Sequence, residues 1–393
     1  MNFLTYWVNA MLLDRINEFR DKNFAYFCKF GDERKSGIER LFISGSPPLN
    51  IYNDAKKYMN EEFMKLISEN KNIPLFVTYD FIDDIYPDIM LKRSEWPQVS
   101  YIIPDVEYNQ PYTREKESVN TVSSYISDRE LEKNIDTVIK RIIKGDLLQI
   151  VLSKRFDLDN YDPIYILKKF MASDRSLYVY YYKFGDFEII GSSPENLVSL
   201  KDNKIEIYPV AGTRRRGNTL NEDIKLENEL RHDEKELLEH RMLVDLARND
   251  LGRICIPGSV KVEKSMEVEK FSSVQHLVSR VSGFTLNSGF GNILASVFPA
   301  GTVSGAPKKK AIMLINQYEK IPRGPYAGAL GIAGKDKLDL ALLIRSLYRD
   351  HNENYTQAGA GIVKDSIPEN EVSEIGSKIL TVTGDLYEKN IDY

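Results

Sequence analysis

Strand-like and helix-like runs are both abundant in this chain, yet they do not alternate as regular strand–helix–strand units. Leu177–Phe184, alternating and rich in tyrosine, is followed by Glu188–Gly191 and Ile205–Val210, three strand-like runs in succession. Leu147–Phe156 is a further strand-like run ahead of them. Helical periodicity marks Ser127–Lys144 and Asn221–Leu246, the latter with Ile224, Leu230, Leu237, Leu238 and Val244 apolar. Later come a helix over Lys309–Glu319, strands over Leu338–Tyr348 and Gly359–Val363, and a last helix from about Glu369. This order predicts a layered α+β fold rather than a doubly wound parallel sheet.

The 393 residues suffice for one large domain or two ordinary ones. A polar stretch with Pro111, Asn109–Val122, reads as the boundary between a short lobe, residues 1–115, and a larger one, residues 116–393. The short lobe has strand-like runs at Pro74–Tyr79 and Tyr101–Ile103 and one polar helix, Ala55–Lys71. A net charge of −5 carries no nucleic-acid footprint. Cys28 and Cys255 are too few for a disulfide framework and fit a reducing compartment, so a cytoplasmic protein is expected. Met1–Leu13 is apolar but too short to span a membrane, and it lacks the basic start of a signal peptide. The four histidines have no zinc-site spacing.

Phe298–Lys308 places two glycines, two hydroxyls and a proline ahead of a helix. Pro307 suits a first helical turn, where its missing N–H costs nothing. Free N–H groups there, with Gly301 and Gly305, point to an anion pocket. Only three residues separate the glycines and Lys308 stands three further on, so this is not a Walker A loop and a carboxylate is the better ligand. A glycine-rich turn capping a helix explains the segment equally.

Two glutamate clusters stand out. Glu236 and Glu239 share a helical face beside His240, and Glu371 and Glu374 share another, with Lys378 one turn beyond. Such clusters suit Mg²⁺, which takes one or two protein carboxylates plus waters and substrate oxygens. Solvated helix faces with ion pairs are the alternative. Gly359-Ala360-Gly361 ends a strand where a ligand could approach the backbone. Arg345 interrupts an apolar run and needs a partner, either a substrate carboxylate held bidentately or a structural salt bridge.

Taken together, these segments resemble the chorismate-utilising enzymes, which comprise anthranilate synthase component I, aminodeoxychorismate synthase component I, isochorismate synthase and salicylate synthase. The resemblance covers about residues 120–388. It rests on Gly191–Glu195, Pro209–Arg214, Glu239–Asp250, Pro299–Lys308, Gly324–Gly328, Ile344–Ser346, Ala358–Gly361 and Glu371–Lys378. It implies a large α/β sandwich of antiparallel sheets flanked by helices, with the active site in a cleft. It further implies Mg²⁺ as cofactor, held by Glu239 and Glu374 with Glu236 and Glu371 acting through water. Tyr326 and Arg345 look like binders of the enolpyruvyl carboxylate, and Gly359, Ala360, Gly361 and Lys378 approach the metal-bound ring carboxylate. Thr213 and Thr302 resemble hydroxyl contacts to substrate, Glu195 the general acid at the C4 hydroxyl, and His276 the histidine beside the reacting ring.

Two positions separate the activities. Water-using members carry a lysine base where this chain has Gln149, and many aminodeoxychorismate synthases carry a nucleophilic lysine where it has Ala211. Both substitutions favour direct addition of ammonia, as in anthranilate synthase component I. Aminodeoxychorismate synthase component I stays the alternative, because residues 1–115 diverge: the Leu-Leu-Glu-Ser of feedback-inhibited members is replaced near Tyr26–Phe30. The resemblance also implies a partner glutamine amidotransferase subunit that supplies ammonia, hence a hetero-oligomer, since neither cysteine has a glutaminase setting.

Overall fold

The computed structural model describes residues 11–31, 36–69, 71–113, 128–173, 176–270, 274–286, 288–351 and 353–384, apart from the side chains of Ser173, Thr213 and Val274. The apolar start before residue 11 and the 114–122 part of the expected boundary lie outside it.

Tyrosine-rich Tyr178–Phe184 shows how the sequence builds the sheets. Tyr178, Tyr180 and Tyr182 point into one apolar core and Val179 and Tyr181 into another, so this strand is covered on both faces. The hydroxyls are satisfied where they land: Tyr178 donates to Asp339 (2.8 Å), Tyr181 to Glu188 (2.9 Å) and Tyr182 to the Gly331 carbonyl (2.9 Å).

The strand lies in a 9-stranded sheet. The order is Gly305–Ala306, Gln149–Asp157, Glu353–Ile362, Ser346–Asp350, Phe187–Ser193, Tyr178–Phe184, Asn23–Phe30, Ser36–Ser44 and Val106–Thr113. A 10-stranded sheet packs against it. Its order is Val210–Arg215, Val274–Phe284, Lys204–Ile207, Asn196–Lys201, Lys337–Leu342, Ala329–Gly334, Ile73–Val77, Val99–Tyr101 and Leu49–Ile51, with Lys261–Lys270 paired to Val274–Phe284. Every strand pairing among the described residues is antiparallel, for example Gly361 opposite Val151 and Thr213 opposite His276. The expected sandwich of antiparallel sheets is therefore present. Residues 11–113 give strands to both sheets, and Asn23–Phe30 pairs with Tyr178–Phe184 so that Lys29 faces Tyr178 across the ladder. Lys29 forms an ion pair with Asp339 (2.6 Å).

Three expected elements divide differently. Asn221–Leu246 is two helices, Leu220–His232 and Glu234–Gly252, because Asp233 adopts an extended conformation and caps the second by accepting the Glu236 N–H (3.2 Å). Ala55–Lys71 is likewise two short helices, Ala55–Asn60 and Glu62–Ile67. Leu338–Tyr348 is not one strand. Lys337–Leu342 belongs to the second sheet and Ser346–Asp350 to the first, and the chain crosses between them at 343–345. Arg345 sits at that crossing with φ of +51°.

Helix Arg129–Ile143 forms as predicted, capped by Asp128, with Leu131, Ile135, Val138 and Ile142 buried at helical spacing. It packs with the final helix, Pro368–Thr383, over the strands Gln149–Asp157 and Glu353–Ile362. Helix Glu234–Gly252 packs on Val210–Arg215 and Val274–Phe284. One edge of each sheet thus carries a glutamate-bearing helix.

Arg323, 2% exposed, fastens this end of the sandwich. It pairs with Glu319 (2.6 and 2.8 Å) and donates to the carbonyls of Val303 (2.7 Å) and Val151 (2.8 Å). Removing one member of a buried pair strands the other charge. Arg323→Met should therefore lower unfolding stability by about 3–5 kcal/mol, read by denaturant titration. A loss below about 1 kcal/mol would show that the pair is dispensable.

Candidate active site

A cleft of about 470 Å³ opens where these two sheet edges meet. Small-molecule sites span roughly 300–1,000 Å³. The first sheet supplies Gln149 and Val151 from one strand and Gln357, Gly359 and Gly361 from its neighbour. The second supplies Ala211, Gly212 and His276, and the crossing supplies Ile344 and Arg345. Helix Glu234–Gly252 contributes Glu236 and Glu239, and helix Pro368–Thr383 contributes Glu371, Glu374 and Lys378. Glu195, Thr302 and Tyr326 complete the walls.

Among the expected residues, two fall differently. Ala360 packs in the apolar core, because successive side chains on a strand face opposite ways and its glycine neighbours take the cleft side. Thr213 pairs with His276 in register, but its side chain lies outside the described residues.

Glu195 accepts a hydrogen bond from the Thr302 hydroxyl (2.6 Å). Burial pushes its carboxyl up to about 7, against the opposing pull of Thr302, Arg345 and Lys378. A carboxyl so placed holds its proton up to about neutral pH. Burial raises Glu239 and Glu371 as well, and neighbouring carboxylates, Glu236 beside the first and Glu374 beside the second, add to the effect. Lys378 answers part of this charge by pairing with Glu374 (2.7 Å) and donating to the Gly359 carbonyl (2.8 Å). Arg214 answers another part through Asp233 (2.6 Å) and Glu236 (3.3 Å).

Among the described residues no three His, Cys, Asp or Glu side chains converge enough to cage a metal unaided. The glutamates stand as two pairs on two helices. That arrangement suits an ion that keeps waters and takes further oxygens from its ligand.

Arg345 makes no side-chain hydrogen bond or ion pair among the described residues, so the structural salt bridge is not formed and its guanidinium serves the cleft. Tyr326 is buried beside the Gly359 backbone. A side chain at Gly359 would begin 2.7 Å from the Tyr326 hydroxyl, which explains the glycine. His276 donates from Nδ1 to the Gly212 carbonyl (3.2 Å), which makes Nε2 the basic nitrogen of the neutral ring. Gln149, 4% exposed, donates to Glu239 (3.4 Å).

The Phe298–Lys308 loop works differently from the anion pocket expected of it. Lys308 is buried against Asp250 (2.8 Å) and the Val297 carbonyl (3.0 Å), and helix Lys308–Tyr318 starts away from the cleft lining. A side chain at Gly305, whose φ is +137°, would run into the Gln149 carbonyl, so that glycine serves strand packing. The loop's contribution to the cleft is Thr302 and Val303.

Sequence reasoning missed Gln357 and Lys235 in the cleft lining and Arg323 behind it. Gln357 stands just before the Ala358–Gly361 motif, but an amide gives no charge signal. Lys235 stands beside the glutamate pair and reads as a solvated helix lysine.

The Glu195 shift carries a stability signature. Folding raises this carboxyl from 4.5 to about 7. Its stabilising protonation is thus complete below about pH 4.5 and lost as pH rises through about 7. Glu195→Gln should therefore gain melting temperature relative to the parent between pH 5 and pH 8. A difference that stays constant across that range would show an ordinary carboxylate.

Comparison with known proteins agrees with this geometry. Residues 8–384 match the family described as chorismate binding enzyme. Anthranilate synthase component 1 of Saccharolobus solfataricus is 40% identical over 328 residues, 77% of this chain and 78% of the relative. Its counterpart in Aquifex aeolicus is 47% identical over 262 residues, 65% of this chain, but this chain spans only 52% of that relative's length. The crystal structure of anthranilate synthase component I from Streptococcus pneumoniae superposes with a TM-score of 0.73 at 30% identity, covering 98% of this chain and 95% of the other. With a match across almost its whole length and a cleft built from the shared motifs, the chain belongs to the chorismate binding enzyme family.

Proposed function

We propose that this chain acts as anthranilate synthase component I, converting chorismate and ammonia to anthranilate, pyruvate and water. The observation that carries the choice within the family is the pairing of Gln149 and Ala211 in one cleft. Neither can act as a base toward water or as an amine nucleophile, so ammonia itself is the nucleophile.

Arg345 and Tyr326 orient the enolpyruvyl carboxylate, and the glycine strand leaves room for the ring carboxylate beside the glutamate pairs. Mg²⁺ held by Glu239 and Glu374, with Glu236 and Glu371 through water, would stabilise negative charge on that carboxylate. Glu195 gives its proton to the C4 hydroxyl, which leaves as water while ammonia bonds at C2. His276, fixed by the Gly212 carbonyl, faces the cleft in which the C2 proton is then lost and the C3–O bond breaks, the enolpyruvyl group taking up a proton to leave as pyruvate and the ring becoming the aromatic amine. Uncharged, hydrogen-bonding Gln149 is compatible with ammonia as the incoming group.

A separate glutamine amidotransferase subunit supplies the ammonia, in a hetero-oligomer. Cys28 and Cys255 are buried and joined in no disulfide, in keeping with a reducing cytoplasm and unsuited to glutamine hydrolysis. Among the described residues no helix is long and apolar enough to cross a membrane.

With chorismate, ammonium and Mg²⁺, the purified chain should produce anthranilate fluorescence. Aminodeoxychorismate or isochorismate as the sole product would refute the assignment. Glu374→Gln should bind Mg²⁺ at least about tenfold more weakly by calorimetry and lose most turnover at limiting metal. Unchanged affinity would remove Glu374 from the ligand set. Glutamine in place of ammonium should give no product until an amidotransferase subunit is added. Glutamine-dependent turnover by the chain alone would contradict the partner.

A further inference from the structure

The charged groups between the two cleft helices pair off unevenly. Apart from Glu195, which holds its proton up to about neutral pH, four carboxylates line the cleft: Glu236 and Glu239 on helix Glu234–Gly252, and Glu371 and Glu374 on helix Pro368–Thr383. Two of them have a cation in contact. Arg214 pairs with Glu236 (3.3 Å) and Lys378 with Glu374 (2.7 Å). Glu239 receives the Gln149 amide (3.4 Å) and Glu371 the Ser366 hydroxyl, and neither forms an ion pair among the described residues. Two further cations line the cleft. Arg345 acts on Glu195. Lys235 is the second residue of its helix and exposed, one residue before Glu236 and four before Glu239, so that it shares the Glu239 face. Its ammonium makes no hydrogen bond or ion pair among the described residues, yet it stands within electrostatic reach of Glu239 and, on the other helix, of Glu371. The two glutamates without a cation in contact are thus the two that Lys235 reaches.

We propose that Lys235 is the built-in counter-ion of the metal site, answering the charge of Glu239 and Glu371 in the empty cleft and competing with the divalent cation for it. A lysine suits that task. Its charge is a compact point on a flexible four-carbon stem, which can swing out to water when a divalent ion arrives. The balance of charge gives the reason for competition. Arg214, Lys378 and Lys235 against four carboxylates leave the empty cluster one positive charge short. A divalent cation overshoots by one, and the ring carboxylate of the substrate restores the balance. Lys235 thus keeps metal affinity low until that carboxylate arrives. This rests on the Mg²⁺ role proposed above. Lys235 acts on the glutamates and not on the reacting atoms.

The test is a calorimetric titration of Mg²⁺ into the purified chain without chorismate, at about 0.01 M ionic strength, where screening is weak. Lys235→Gln should bind Mg²⁺ about fivefold more tightly than the parent, because one positive charge near a divalent ion is gone from a water-accessible site. Lys235→Arg should match the parent. At about 0.15 M ionic strength the difference should shrink. A substitution that merely disturbed the helix would weaken the site, as Glu374→Gln should, so the sign of the change separates the two. Lys57→Gln, exposed on helix Ala55–Asn60 and outside the cleft lining, should leave the affinity unchanged. Equal tightening there would reduce the effect to net charge and overturn the proposal. Unchanged or weaker binding by Lys235→Gln overturns it as well. The titration is read whatever product the chain forms. A parent chain that binds no Mg²⁺ would refute the metal site altogether. A parent that binds it, weakened by Glu374→Gln but unmoved by Lys235→Gln, would refute the competition alone.

Discussion

The cleft depends on the buried guanidinium of Arg323. One side chain ties Glu319 at the end of helix Lys308–Tyr318, the Val303 carbonyl in the loop, and the Val151 carbonyl in the cleft strand. Its plane lies near the rings of Tyr79 (4.9 Å) and Tyr326 (5.4 Å). Glu319 reaches further, accepting from the backbone and hydroxyl of Ser153 (both 2.8 Å), and the Ser153 hydroxyl receives the Gln357 amide (2.8 Å). A planar fork of fixed donors suits this task, since a lysine's donors radiate from a single nitrogen and lack that spread. Thr302, one residue before Val303, is thereby held on Glu195. The clasp thus connects packing to the position of Glu195.

Around that clasp the molecule accepts an unfavourable concentration of charge. Five carboxylates line one cleft, those of Glu195, Glu236, Glu239, Glu371 and Glu374. Only part of their charge is answered within the protein, by Arg214 at Glu236 and Lys378 at Glu374. Burial raises the proton affinity of Glu195, Glu239 and Glu371, and at the latter two the neighbouring carboxylates add to it. Perturbed groups gathered in one concavity mark a working site. The environments also separate the roles. Glu195, buried beside a hydroxyl, holds its proton to about neutral pH, whereas the helix pairs bring like charges together. Both glutamate-bearing helices are anchored by apolar faces, including Leu243 and Val244 on one and Val372, Ile375 and Ile379 on the other. Hydrophobic burial thus holds like charges near one another.

Much of this was legible beforehand. The sequence determined the α+β class, because successive strand-like runs without crossover helices exclude a parallel sheet. It determined which glutamates share a helical face, because that follows from residue spacing alone. The motif order determined the family, and most of the residues it singled out line the cleft. Tertiary structure decided what depends on partners far apart in the chain. Only the assembled sheets show that the run Leu338–Tyr348 divides, placing Arg345 at the crossing between two layers. Only strand register shows that Ala360 faces the core while Gly359 and Gly361 face the cleft. Lys308, at the end of the glycine loop, is committed to Asp250 across 58 residues. Arg323 and Gln357 gave no local signal, because a buried hydrogen-bond network belongs to no single segment. Spacing along one chain fixes the periodicity and chemistry of each element. Which donors meet which acceptors, and hence each group's affinity for a proton, is set by the neighbours that folding supplies.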